Sequence, residues 1–166
     1  GDREQVLGFY FAGDLVSVPA RGAHSYTLCA LQDCELIAFP AAEFFELARS
    51  EAGLLNEVLV RVLDSLSRSR EKSITLGRKT AQERVASFLV TMAARIGTPL
   101  EGGCLLHLPM SRRDMADSLG LTIETISRQL TELREAGLIE TSGRSVVHLC
   151  DSATLEARAG HLCATA

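Results

Sequence analysis

No run in this 166-residue chain approaches 18 consecutive apolar residues, so no segment is long enough to cross a membrane as a helix. The five cysteines (Cys29, Cys34, Cys104, Cys150 and Cys163) form no Cys-x-x-Cys pair, and the four histidines add no zinc-type spacing. A nucleophile–base pair, a phosphate-binding glycine loop and a metal cluster are missing too, which removes the usual grounds for expecting an enzyme, a metal or a cofactor. No stretch has the make-up of a secretory signal, and an odd cysteine count fits reduced cytosolic thiols in a cytoplasmic protein. Most such thiols serve as small packing residues. The chain starts at Gly1 rather than at a methionine, as a clipped or partial chain would. Excess positive charge is also lacking: 17 basic against 21 acidic side chains leave −4, which argues against indiscriminate nucleic-acid binding.

What is present is the composition of a globular protein, 46% hydrophobic and 23% charged, enough for one ordinary domain or two small ones. The charge is uneven. Residues 1–66 carry 4 basic and 10 acidic side chains, residues 67–95 carry 7 and 2, and residues 96–166 carry 6 and 9. The basic middle suits either a polyanion or an ordinary solvated helix face.

Four short apolar or alternating runs, Phe9–Phe11, Leu15–Val18, Tyr26–Leu31 and Glu35–Phe39, read as β-strands. Turns at Gly13-Asp14, Pro19 with Gly22, and Gln32-Asp33 separate them. Four strands need a second sheet to cover their apolar faces, so either residues upstream complete a β-sandwich or residues 1–49 lean on the helices that follow. After Pro40, Ala41–Ala48 is a short helix, and a long helix follows from about Gly53 to Leu76. Leu55, Leu59, Val62, Leu66, Ser69 and Ser73 recur at alternating spacings of four and three, a heptad seam. Charges on its other faces favour pairing with a second copy over burial in a core. Gly77 is expected to act as a hinge before a helix over Lys79–Ile96, with Val85, Phe88, Leu89 and Met92 on one face. Gly97–Gly103 reads as a loop and Cys104–Leu108 as a strand.

Residues 111–137 carry the strongest signal. Ser111 caps a short helix with Met115 and Leu119 turned inward, Gly120 supplies a left-handed turn, and Thr122 caps a second helix. Ile126, Leu130 and Leu133 form that helix's buried stripe. Leu138–Glu140 and Ser145–Leu149, joined by Thr141-Ser142-Gly143, make a β-hairpin. A helix-turn-helix followed by a hairpin is a winged helix, whose second helix enters the DNA major groove. Opposite the stripe lie Glu124, Ser127 and Arg128, together on the first turns. Arg128 can donate two hydrogen bonds to guanine, Glu124 can accept from a cytosine amine, and Ser127 can reach a base edge or a phosphate. Ile123 can touch a thymine methyl. Arg112, Arg113 and Arg144 suit phosphate anchoring, with Ser111, Thr122 and Thr125 as further backbone contacts. Glu124 and Arg128 at i and i+4 also make an ordinary surface ion pair, but the caps, turn, stripe and hairpin together favour base reading.

The segment Leu119-Gly-Leu-Thr-Ile-Glu-Thr-Ile-Ser-Arg-Gln-Leu resembles the recognition helix of the CRP/FNR superfamily of bacterial transcription regulators, nearest its FNR and FixK branch. That branch carries Glu, two residues, then Ser-Arg. Gly8-Phe-Tyr-Phe-Ala-Gly-Asp-Leu-Val is similar to late strands of the family's sensor barrel. Asp33–Pro40 is similar to its final strand, residues 53–76 to its dimer helix, and Thr80–Leu89 to the start of its DNA-binding domain. The resemblance implies an α+β chain in four parts: a partial jelly-roll sensor domain over 1–49, a dimerisation helix over 50–76, a winged helix-turn-helix over 77–150 and a mobile tail over 151–166. It also implies a homodimer reading a double-stranded palindrome of the TTGAT-N4-ATCAA type, its two recognition helices about 34 Å apart. Activation through contact with RNA polymerase is implied as well.

Two departures bear on the effector. The region Gly13–Val18 followed by His24-Ser25-Tyr26 places no arginine for a cyclic-nucleotide phosphate. The cysteine cluster of oxygen-sensing members is absent from these residues; their barrel cysteine aligns with Ile37, and Cys34 matches a commoner structural position. What remains resembles the FixK type, which works without a bound cofactor. Two other readings stay open: a winged-helix module for protein assembly with no DNA role, and thiol regulation through Cys104 or Cys150.

Overall fold

Side-chain caps at Thr80, Ser111, Thr122 and Asp151 open four of the helices in a computed structural model that describes residues 5–16 and 26–160. The elements run α1 (Ala41–Ser50), α2 (Ala52–Arg78), α3 (Ala81–Ile96), β1 (Thr98–Leu100), β2 (Gly103–His107), α4 (Arg112–Leu119), α5 (Ile123–Glu135), β3 (Ile139–Ser142), β4 (Val146–Leu149) and α6 (Ser152–Arg158). They fall into two compact units, Tyr10–Lys72 and Gly1–Phe9 with Ser73–Ala166.

In the unit Tyr10–Lys72 the expected sandwich does not form. Among the described residues 8–16 and 26–39 there is no strand; Ser17, Val18 and the Pro19–Gly22 turn lie outside them. Alternating apolar residues supply a face but not the neighbouring backbone that a ladder requires. Leu36, Ile37 and Phe39 accordingly stand 70%, 83% and 63% exposed. The turn at Gly13-Asp14 does form: the Asp14 carboxylate accepts from the Phe11 amide at 2.8 Å, and the Asp14 amide donates to the Phe11 carbonyl at 3.0 Å. The Arg61 guanidinium on α2 donates to the Gly13 carbonyl and pairs with Glu57 at 2.7 Å.

α2 is longer than the heptad reading expects. Gly77 lies inside it rather than at a hinge, because the helix continues to Arg78 and the Lys79 amide still donates to the Thr75 carbonyl. None of its residues is buried. Leu55, Leu59, Val62 and Leu66 are between 44% and 53% exposed, and Ser69 and Ser73 continue the line on exposed positions.

The unit from Ser73 onward has its core between α3, α5 and a four-stranded antiparallel sheet of order β1-β2-β4-β3. α3 starts at a reciprocal capping box, in which the Thr80 hydroxyl accepts from the Glu83 amide and the Glu83 carboxylate accepts from the Thr80 amide. Its inward face is Val85, Ala86, Phe88, Leu89 and Met92, the periodic set read from the sequence with one alanine added. Opposite it, Leu106, Ile126, Leu133, Ile139, Val147 and Leu149 are essentially sealed from solvent. Each such side chain contributes roughly 1.5–3 kcal/mol by burial. Phe9 adds an edge-on contact to Phe88, centroids 6.0 Å apart, and its carbonyl accepts from Arg95 at 3.0 Å.

Two elements correct the sequence reading. Part of the expected loop Gly97–Gly103 is strand β1, with Pro99 tolerated because β1 is an edge strand. Residues 152–158 of the expected tail form α6. Asp151 caps it by accepting from the Thr154 amide at 2.9 Å, and Leu155 is fully buried. The Ser87 hydroxyl on α3 donates to the Ala159 carbonyl at 3.0 Å, holding the end of α6. Residues 161–166, with Cys163, lie outside the described residues.

Candidate nucleic-acid interface

α4 and α5 form because three short-range signals agree. The Ser111 hydroxyl accepts from the Asp114 amide at 3.2 Å, and the Asp114 carboxylate accepts from the Ser111 amide at 2.7 Å. This is a second capping box, legible as Ser-x-x-Asp though not read as such from the sequence. Gly120 ends α4 at φ 63°, ψ 39°, the left-handed geometry expected of it. The Thr122 hydroxyl accepts from the Thr125 amide at 3.2 Å and opens α5. The Arg84 guanidinium on α3 then donates to the carbonyls of Leu76, Lys79 and Leu119, at 2.8, 2.9 and 3.0 Å. It fastens the end of α4 to the junction of α2 and α3, and no sequence pattern announces it.

α5 is sorted by face as expected. Ile126, Leu130 and Leu133 are buried, whereas Glu124, Ser127 and Arg128 are exposed and Ile123 is half-buried. Gln129 is buried as well, which the sequence reading missed. The ion pair weighed between Glu124 and Arg128 is not how these groups are held. Arg128 leans toward Glu132, Nε to Oε1 3.9 Å, with its side chain 67% exposed. The Glu124 carboxyl is held below the ordinary glutamate range by its own backbone amide and by Thr122. It is therefore an anion near neutral pH, able to accept but not to donate. The Ser127 hydroxyl donates to the Ile123 carbonyl at 2.9 Å, leaving its lone pairs to face outward.

The expected phosphate contacts separate into two kinds. Arg113 and Arg144 are exposed, the latter at the turn between β3 and β4. Arg112 is half-buried, its guanidinium 3.9 Å from the Met115 sulfur, and burial pushes its pKa down from the ordinary value. Ser111 and Thr122 spend their hydroxyls on caps, and Thr125, half-buried, shares a 3.1 Å contact with the Thr122 hydroxyl. Such caps leave backbone amides of the first turn pointing outward, a setting that favours anions. The exposed face thus offers one guanidinium, one carboxylate and one hydroxyl on two turns of a rigid helix, flanked by Arg113.

Comparison with known proteins identifies relatives of both the module and the longer chain. Residues 83–158 match the Crp-like helix-turn-helix domain. The transcriptional activator protein FnrL of Cereibacter sphaeroides is 35% identical over 162 residues, covering 95% of this chain and 65% of that protein. The nitrogen fixation regulation protein FixK of Rhizobium meliloti is 39% identical over 137 residues, 82% of this chain and 60% of the relative. Among solved structures, FixK2 from Bradyrhizobium japonicum superposes with a TM-score of 0.66 at 33% identity, covering 72% of this chain and 59% of that one. The chain therefore spans under two thirds of the length of these relatives.

Proposed function

Because the chain belongs to the CRP/FNR superfamily of transcription regulators, on its FixK and FNR side, we propose that it reads DNA through α5 and regulates transcription as a homodimer. The observation that carries this reading is the division of α5 into a sealed stripe and an exposed Glu124, Ser127 and Arg128. A carboxylate on the first turn of a helix also suits the helix dipole. On a phosphate-facing surface, however, it gains only at a base amine or by orienting the arginine, and its company with Ser127 and Arg128 fits base reading. Ile123 adds apolar contact, Arg113 and Arg144 neutralise phosphates, and the amides at the Ser111 and Thr122 caps add to that hold.

The exposed seam of Leu55, Leu59, Val62 and Leu66 on α2 supports pairing of two copies, which places two α5 helices on successive grooves of a palindrome. The proposed target is of the TTGAT-N4-ATCAA type. Activation is supported by the similarity to FnrL, a transcriptional activator protein, and contact with RNA polymerase is the proposed route. Independence from cyclic nucleotide rests on His24-Ser25 in the place where the family's phosphate-holding Arg-Ser or Arg-Thr pair is expected, Arg21 lying three residues before it. Selection of bound sequences from random duplexes tests partner, symmetry and spacing at once. Recovery of no motif, or of an unpaired half-site only, overturns the corresponding part of the proposal.

A further inference from the structure

The hairpin of β3 and β4 brings together three side chains that are far from a metal motif in sequence. Glu140 and His148 are direct partners in the antiparallel register, and Cys150 follows His148 by two residues, so all three project from one face of the hairpin. The Cys150 amide donates to the Leu138 carbonyl at 2.9 Å, holding the cysteine beside the start of β3. The His148 Nδ1 lies 3.6 Å from the Cys150 sulfur and 3.8 Å from Glu140 Oε2, and the three donor atoms all fall within 4.8 Å of one another.

A separation of 3.8 Å is too long for a nitrogen–oxygen hydrogen bond, so the carboxylate and imidazole converge without satisfying each other. Around a tetrahedral zinc ion, with bonds of about 2.0–2.3 Å, adjacent ligand atoms stand about 3.3–3.6 Å apart. The 3.6 and 3.8 Å spacings about His148 are already close to that, and the third, within 4.8 Å, closes by movement of the Glu140 side chain. Gly103 on β2 backs the ring: a Cβ there would meet the Leu149 carbonyl oxygen at 2.1 Å and His148 Nε2 at 3.0 Å. His148 Nε2 is buried without a partner, and a proton placed there leaves the Nδ1 lone pair directed at Cys150 and Glu140.

We propose that Glu140, His148 and Cys150 form a three-ligand site for a zinc-class divalent cation that ties β3 to β4. One sulfur, one nitrogen and one oxygen suit a borderline-soft metal; magnesium and calcium call for oxygen alone. Binding transfers the thiol proton to solvent and leaves the fourth position open to water or to a partner group. Glu140 is 78% exposed and has room to swing onto the ion. The site would stiffen the hairpin whose turn carries Arg144.

The test uses the full reduced chain, zinc as the only added metal, and cobalt as a spectroscopic probe. One equivalent of zinc per chain retained after dialysis is expected, with a thiolate-to-cobalt charge-transfer band. Cys150→Ala and His148→Ala should lose both, while Cys104→Ala keeps them. Glu140→Gln alters an exposed side chain that folding does not need, and it should weaken retention without changing the circular dichroism. No retained metal, or retention unaffected by Cys150→Ala and Glu140→Gln, overturns the site.

Discussion

Arg128 carries the sharpest consequence of any single residue. It is exposed, it sits on the second turn of α5, and its ionic neighbour Glu132 stands at the long distance of 3.9 Å. Such a weak surface pair contributes little to stability, so Arg128→Ala should leave folding within about 0.5 kcal/mol of the parent. The same change should cost about 1–3 kcal/mol of DNA affinity and relax preference at one G·C pair, read by titrating duplexes altered base by base. Unchanged affinity with unchanged preference removes Arg128 from the readout. Gly120 behaves in the opposite way. A Cβ there would find ordinary contacts, 3.5 Å to Arg84 and to Leu76, so space is not the constraint. The left-handed backbone is, and Gly120→Ala should destabilise the fold by about 1–2 kcal/mol in denaturant melts. Gly120→Asn, which tolerates that geometry better, should cost less; equal costs would point to crowding instead of strain.

At the scale of elements, α3 and α6 depend on acidic caps. Hydrogen bonds from the Thr80 backbone and side chain hold the Glu83 carboxyl below its ordinary range, and Thr154 does the same for Asp151, backbone first. A depressed folded-state pKa means stability that is complete at neutral pH. It is lost as pH falls below about 4 and through the folded values, because protonation then abolishes the acceptors. Carboxyl midpoints followed by NMR should lie below those of unfolded peptides for both residues, and ordinary midpoints would deny the caps that role. The elements also show what local sequence can and cannot reveal. Ser111, Gly120 and Thr122 were legible because each acts on amides within three residues of itself. So were Ile126, Leu130 and Leu133, whose spacing alone makes a stripe. Thr80 with Glu83 is a capping box of the same short range. The runs between Phe9 and Phe39 misled, because a strand needs a neighbouring backbone that alternation does not specify. Leu155 gave α6 too faint a periodicity, one buried residue among small and polar ones. The Glu140, His148 and Cys150 cluster exists only through the register of β3 on β4.

For the whole chain, a net charge of −4 sets the terms of the proposed DNA binding. Attraction is expected from the exposed Arg113, Arg128 and Arg144, so affinity should fall steeply and linearly on a log–log plot against salt. A flat salt dependence would favour the protein-assembly reading. Pairing through α2 is tested by Leu59→Glu, which places a charge in the exposed seam. It should shift sedimentation from dimer to monomer and weaken binding to a full palindrome more than to a half-site. A variant that still sediments as a dimer places the interface elsewhere. Arg84 carries a consequence of another kind. Its three acceptors lie at or just beyond helix C-termini, where carbonyls have no intrahelical partner. One planar cation therefore serves as a shared keystone for two helix ends, and a lysine, with a single point of charge, cannot span the same arch. Any turning of the last residues of α2 about the helix axis must either carry the start of the recognition turn with it or give up that keystone.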